Sequence, residues 1–137
     1  MTREEALKFF RSFGARCTPR HHGGRDVVGL QLRYSSICDD DLPNLRPLRR
    51  EVDVIDLEGT RITDDGLKHL LCLMFLDNLC LSNTSITDLG LNTISEIKTL
   101  QVVHLEGTQT TLDAIMRFGE MVPGCEVCCD FDFDNIS

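Results

Sequence analysis

Residues 55–67 read IDLEGTRITDDGL, and residues 79–91 read LCLSNTSITDLGL. The two stretches share the pattern TxITDxGL and lie 24 residues apart, and looser copies begin at Leu30 and Val103. The second apolar position of each copy recurs at spacings of 25, 24 and 24 residues, at Leu32, Leu57, Leu81 and Leu105. A further 24 residues lead to Cys129, so residues 127–129 are predicted to form a last strand. A fixed period of this length is typical of repeat architectures, in which neighbouring units bury a common core.

Each copy opens with an alternation of apolar and outward-facing residues, which predicts a short β-strand. The strand is followed by Thr-Asp and by leucines or isoleucines three residues apart, which predicts a short helix capped at Thr63–Asp64 and Thr87–Asp88. Stacking such units places equivalent residues side by side. One outward row is predicted to contain Gln31, Asp56, Cys80, His104 and Cys128, and the next Arg33, Glu58, Ser82, Glu106 and Asp130.

The TxITDxGL pattern resembles the leucine-rich repeats found in many bacterial proteins. The resemblance covers residues 27–130, and it weakens at Cys38, which replaces threonine, and at Leu112, which replaces aspartate. It implies an α/β fold: a right-handed solenoid of about four repeats with a parallel sheet on the concave side and short helices on the convex side. The same signature occurs in F-box adaptor repeats, so a substrate-recognition subunit of a larger complex is an alternative, although no F-box-like segment is seen.

The regions outside the repeats are predicted to cover the ends of the stack, within one structural domain. Residues 1–26 form a helical cap and a connecting turn: Thr2–Glu5 is a capping-box pattern, and four apolar residues share one helix face. Residues 15–18 are predicted to add an edge strand, followed by a turn over residues 19–24. Residues 131–137 form an acidic tail.

The charge, the lengths of the apolar runs and the cysteine content exclude some classes of function and indicate a location. The chain carries a net charge of −8, which divides into +4 over residues 1–50 and −12 over residues 51–137. Most of the chain would therefore repel nucleic acid. No apolar run approaches the roughly 18 residues that span a membrane, and the N-terminus does not resemble a signal peptide. Seven cysteines, an odd number, favour reduced thiols and a cytoplasmic location.

These features predict a non-enzymatic module that binds a protein partner, without a cofactor. The concave face is predicted to present Asp56, Glu58, Cys80, Ser82, His104 and Glu106. Because this set is acidic, a partner with a basic surface is the expected complement. A second contact surface is predicted on the convex side of the second repeat, at Leu71, Met74 and Phe75, where the other repeats are polar.

The row that contains Cys80, His104 and Cys128 raises an alternative, a metal-binding or catalytic site. Cys80 and Cys128 lie two strands apart, which is about 9.6 Å between backbones. That separation is too wide for a disulfide and requires both sulfurs to lean inward for zinc. For catalysis, a Cys–His contact alone is weak evidence, and the sheet offers no obvious oxyanion hole or enclosed pocket. An ordinary polar binding face is therefore the expected role of this row, and a metal-binding or catalytic site on the concave face is kept as an alternative.

Overall fold

The computed structural model describes residues 1–131 and contains one sheet of six strands with helices packed against it. The strands are β1 (Arg16–His22), β2 (Arg25–Gln31), β3 (Val52–Asp56), β4 (Asn78–Cys80), β5 (Val102–His104) and β6 (Glu126–Cys128). The α-helices are α1 (Arg3–Arg11), α2 (Asp88–Ile94) and α3 (Leu112–Met121). Two 3₁₀ helices span Asp39–Leu48 and Asp64–Cys72.

The strands follow chain order across the sheet, so each repeat adds one strand beside the last. β1 and β2 form an antiparallel hairpin, and every later neighbour is parallel. Gln31 lies opposite Asp56, then Cys80, His104 and Cys128 follow in register. This row was predicted from the 24-residue period, and the register confirms it.

The core lies between the sheet and the helices. The inward strand positions Leu30, Ile55, Leu79 and Val103 are at most 1% exposed, and so are Leu32, Leu57, Leu81 and Leu105. Helix residues such as Leu67, Leu70 and Phe118 belong to the same cluster. At the last strand the ladder is only half buried, at Val127 and Cys129. The coarse fold prediction is confirmed: the chain is α/β, with a mostly parallel sheet of leucine-rich-repeat-like organisation.

The short helices predicted after β2 and β3 are present as 3₁₀ helices, and the first contains Pro43 and Pro47, which lack the N–H that an α-helix would use. The turn predicted over residues 19–24 is wrong. β1 continues through Pro19 to His22, and the reversal is confined to Gly23–Gly24, both with positive φ. Pro19 is tolerated because β1 is an edge strand.

The Thr-Asp pair connects successive repeats. Asp64 accepts hydrogen bonds from the backbone N–H of Thr87, at 2.8 Å, and from the Thr87 hydroxyl. Asp39 makes the same pair of bonds to Thr63, and Asp88 to Thr111. Thr63 makes no side-chain capping bond to its own helix, although Thr87 and Thr111 do. The aspartate therefore acts mainly on the next repeat, and we call this pair the Asp–Thr clamp.

The Asp–Thr clamp explains why the TxITDxGL pattern has a glycine two residues after the aspartate. A Cβ on Gly66 would lie 2.3 Å from Asp39 Oδ1, and a Cβ on Gly90 would lie 2.3 Å from Asp64 Oδ1. The two residues that depart from the pattern lie in the first and the fourth repeats, where the series of Asp–Thr clamps begins and ends. Cys38, in the first repeat, has no preceding repeat aspartate, and its N–H bonds instead to Asp41. Leu112 replaces the aspartate in the fourth repeat, which is followed by β6 and by no further helix within residues 1–131.

No helix among residues 1–131 combines the length and the apolar character that crossing a membrane requires.

Candidate functional site

The six residues predicted for the concave face lie together on the sheet face that points away from the helices, which we call the open sheet face. They line one shallow depression of about 290 Å³. Its lining includes Asp56, Glu58, Cys80, Ser82, His104 and Glu106, together with Gln31, Arg33 and Asn78. The period of the sequence thus brings together residues that span 76 positions of the chain, from Gln31 to Glu106.

One half of the depression is organised by Arg33. Its guanidinium donates to Asp56 Oδ2 from Nε at 2.7 Å, and its Nη2 lies 3.9 Å from Glu58 Oε2. Asp56 Oδ1 accepts from the Glu58 N–H at 3.0 Å. The hydrogen bond to Asp56 and the nearby carboxylates raise the pKa of Arg33. This half therefore pairs one guanidinium with two carboxylates, so Arg33 offsets the charge of only one of them.

The other half contains His104 and Glu106, and Cys128 lies beside it on β6. Glu106 Oε2 accepts a hydrogen bond from Ser82 Oγ at 2.9 Å, and Glu106 Oε1 lies 3.6 Å from His104 Nδ1. The Cys128 sulfur, directly across the strand pair from His104, completes a group whose ligand atoms lie within 4.8 Å of one another. No arginine or lysine among residues 1–131 forms a salt bridge with Glu106.

Two of the six residues predicted to bind a partner have little exposed surface. Asp56 is 7% exposed and Ser82 is 4% exposed. The carboxylate oxygens of Asp56 accept hydrogen bonds from Arg33 and from the Glu58 N–H. The Ser82 hydroxyl donates to Glu106. The half-buried positions Glu58, Cys80, His104 and Glu106 remain accessible.

The thiols near the depression are not activated for nucleophilic chemistry. Burial raises the pKa of Cys80, even though hydrogen bonds from Ser82 oppose the shift. Burial, together with Glu126 and Glu106, also raises the pKa of Cys128. A catalytic cysteine requires the opposite shift, because the thiolate is the nucleophile. All seven cysteines of the chain are free.

Basic residues of the N-terminal hairpin lie at the start of the strands and offset part of the acidic charge, a feature that the sequence analysis missed. Arg20 of β1 donates to Asp53, which is buried, and His22 lies 4.0 Å from Asp77. Burial, followed by the charge of Asp53, raises the pKa of Asp77. The only sequence signal for these contacts was the +4 charge of residues 1–50, which gives no register.

The predicted convex patch is divided in the structure. Leu71 and Met74 are exposed, at 41% and 48%, and line a depression with Lys98 and Thr99. Phe75 does not join them. It is half buried beneath Arg25, whose guanidinium carbon lies 3.3 Å from the ring centroid. Phe75 therefore lies apart from Leu71 and Met74, because the chain turns toward β4 after Met74.

Comparison with known proteins gives similarity to solved structures and not to family models or curated proteins. No family model and no curated protein matches the chain. Among solved structures, the chain is similar to the leucine-rich-repeat ectodomain of the receptor kinase SOBIR1 from Arabidopsis thaliana. The sequence identity is 11%, the TM-score is 0.48, and the match covers 92% of this chain and 90% of that one.

Proposed function

We propose that the protein is a non-enzymatic recognition module that binds a protein partner with a basic surface through the open sheet face. The observation that supports this most is the single depression formed by Glu58, Cys80, His104 and Glu106. It combines polar groups from three successive strands with half-buried thiol and imidazole surface. Such a mixture suits a protein contact, in which apolar area and a few oriented polar groups act together.

The charge of the face favours a basic partner. Arg33 offsets one of the two carboxylates on the side of the depression near β2, whereas Glu106, Glu126 and Asp130 lie toward β6. Glu126 and Asp130 are exposed. Complementary charges accelerate encounter and select partners, and their effect weakens as salt rises.

The proposal includes the handedness, the concave side and the capping region that the leucine-rich-repeat resemblance implies. The repeats of residues 27–130 form a right-handed solenoid with the open sheet face on its concave side, and residues 1–26 cap it. The acidic tail predicted over residues 131–137 lies, from residue 132 onward, outside the residues that the structure describes. The odd cysteine number favours the cytoplasm as its location.

The test compares two variants that lose three carboxylates each. The sheet-face variant carries Glu58→Gln, Glu106→Gln and Glu126→Gln. The matched control carries Glu96→Gln, Asp113→Asn and Glu120→Gln, all exposed on the helix side. A partner is first captured by the wild-type protein and identified by mass spectrometry, and its affinity is then measured for each variant at two ionic strengths.

Three surface charge pairs at about 0.5 kcal/mol each weaken binding about tenfold in the sheet-face variant. The control stays within about twofold of wild type, and the wild-type affinity falls with salt. Equal losses in the two variants, or an affinity that does not depend on salt, would contradict the proposal.

A further inference from the structure

We propose that His104, Glu106 and Cys128 form a binding site for Zn²⁺ or a chemically similar divalent transition metal. His104 and Cys128 come from the adjacent strands β5 and β6, Glu106 comes from the turn after β5, and their candidate ligand atoms lie within 4.8 Å of one another. In the sequence, the metal-binding alternative involved Cys80, His104 and Cys128, in which the two sulfurs lie two strands apart. In the structure, the third ligand beside His104 and Cys128 is Glu106, so no pair of ligands is separated by two strands.

The geometry is close to what zinc needs. Zinc ligated by nitrogen and oxygen at about 2.0–2.2 Å in a tetrahedron sets those two atoms about 3.3 Å apart. His104 Nδ1 and Glu106 Oε1 are already 3.6 Å apart. His104 and Cys128 are paired across β5 and β6, so their side chains leave the same face of the sheet. The Cys128 sulfur lies within 4.8 Å of the other two ligand atoms, against about 3.5 Å between sulfur and nitrogen or oxygen in a tetrahedral zinc site.

A hydrogen bond orients the Glu106 carboxylate for metal binding. Ser82 Oγ donates to Glu106 Oε2 at 2.9 Å and thereby leaves Oε1 directed toward His104. Ser82 is 4% exposed, so this support is fixed within the structure. Hydrogen bonds of this kind orient metal ligands and contribute to affinity.

The mixture of donors selects the type of metal. Imidazole and thiolate favour zinc, cobalt or copper over magnesium and calcium, which prefer oxygen. Binding replaces the Cys128 S–H bond with a metal–sulfur bond and releases one proton to solvent. Three protein ligands leave the fourth position for water.

A neighbouring group of similar composition is already occupied by a cation. The oxygen and sulfur atoms of Asp56, Glu58 and Cys80 also lie within 4.8 Å of one another. The Arg33 guanidinium, however, binds Asp56 and lies near Glu58. A metal there would have to displace that guanidinium, so Cys80 serves as the matched control.

The test titrates the full-length, reduced protein with Co²⁺ and then with Zn²⁺, and it does not depend on any protein partner. We expect one equivalent of Co²⁺ to give the ultraviolet absorption of a cobalt–thiolate bond, with a dissociation constant on the order of micromolar. Zn²⁺ abolishes this absorption, and a large excess of Mg²⁺ does not. Cys128→Ser removes the thiolate band, and His104→Gln weakens binding at least about tenfold. Cys80→Ser and Cys125→Ser bind like wild type.

Absence of a stoichiometric thiolate band in the wild type would overturn the proposal. So would a band that persists in Cys128→Ser, or one that is lost in Cys80→Ser or Cys125→Ser while His104→Gln retains it. Circular dichroism of each variant identifies any that fail to fold. If Cys128→Ser does not fold, the loss of cobalt affinity in His104→Gln tests the site instead. Loss of partner binding in the sheet-face carboxylate variant has no bearing on this result, because the titration uses metal alone.

Discussion

Replacing Asp64 with alanine breaks the central Asp–Thr clamp. Asp64 accepts two hydrogen bonds from Thr87, and a bond to a charged acceptor contributes about 1.5–3 kcal/mol. The Thr87 N–H and hydroxyl are half buried, so water partly replaces the lost acceptor. We therefore expect Asp64→Ala to lower the free energy of unfolding by about 3 kcal/mol. Asp64→Asn retains one acceptor oxygen and costs about 1 kcal/mol.

The matched control is Asp65→Ala, which removes the same charge from the adjacent, exposed position in the same helix turn. It should cost no more than about 0.5 kcal/mol, the contribution of a carboxylate to the helix dipole. Urea unfolding gives the free energies, and the Asp64→Ala/Thr87→Ala double mutant should show a coupling of at least about 1 kcal/mol. Equal losses for Asp64→Ala and Asp65→Ala, or no coupling, would refute the clamp.

Three further predictions use the same unfolding measurement. Leu81→Ala leaves a cavity in the central ladder and should cost about 2–5 kcal/mol, whereas Gln31→Ala, on an exposed side chain, should cost less than about 0.5 kcal/mol; similar losses would contradict the assigned register. Gly90→Ala places a methyl group 2.3 Å from Asp64 Oδ1 and should cost about 1–3 kcal/mol by overpacking, so a neutral result would show that the clamp can move. Asp77→Asn should stabilise the protein slightly at pH 7: the raised pKa means that the charged carboxylate is penalised above its unfolded pKa, so the gain disappears as the pH falls toward 4, and a gain that is independent of pH would contradict this origin.

The repeat period was sufficient to predict the sheet register and the buried ladders. Equivalent positions must stack when each unit leaves one apolar face uncovered, so the 24-residue spacing alone places Leu57 beside Leu81. The period did not predict the 3₁₀ helices, because the apolar spacing after β3 suits either helix type. The extension of β1 through Pro19 was also missed, since proline is a turn signal unless the strand is known to lie at an edge.

For the candidate site, the sequence predicted which residues share the open sheet face but not what each one does there. Asp56 and Ser82 were predicted to be exposed, and both are buried through partners that alternation does not reveal, namely Arg33 and Glu106. The role of Asp64 was assigned to its own helix for a similar reason: a Thr-Asp pair before a helix is a capping signal. Its actual partner, Thr87, belongs to the following repeat, so only the packed structure reveals it.

Carboxyl footprinting of the complex with the captured partner tests the proposed recognition surface most directly. Glu58 and Glu106 lie in the depression on the open sheet face, whereas Glu96 and Glu120 are exposed on the helix side. We predict that partner binding slows carbodiimide labelling of Glu58 and Glu106 and leaves Glu96 and Glu120 unchanged. Slower labelling of Glu96 and Glu120, with Glu58 and Glu106 unaffected, would place the binding surface on the helix side and contradict the proposed function.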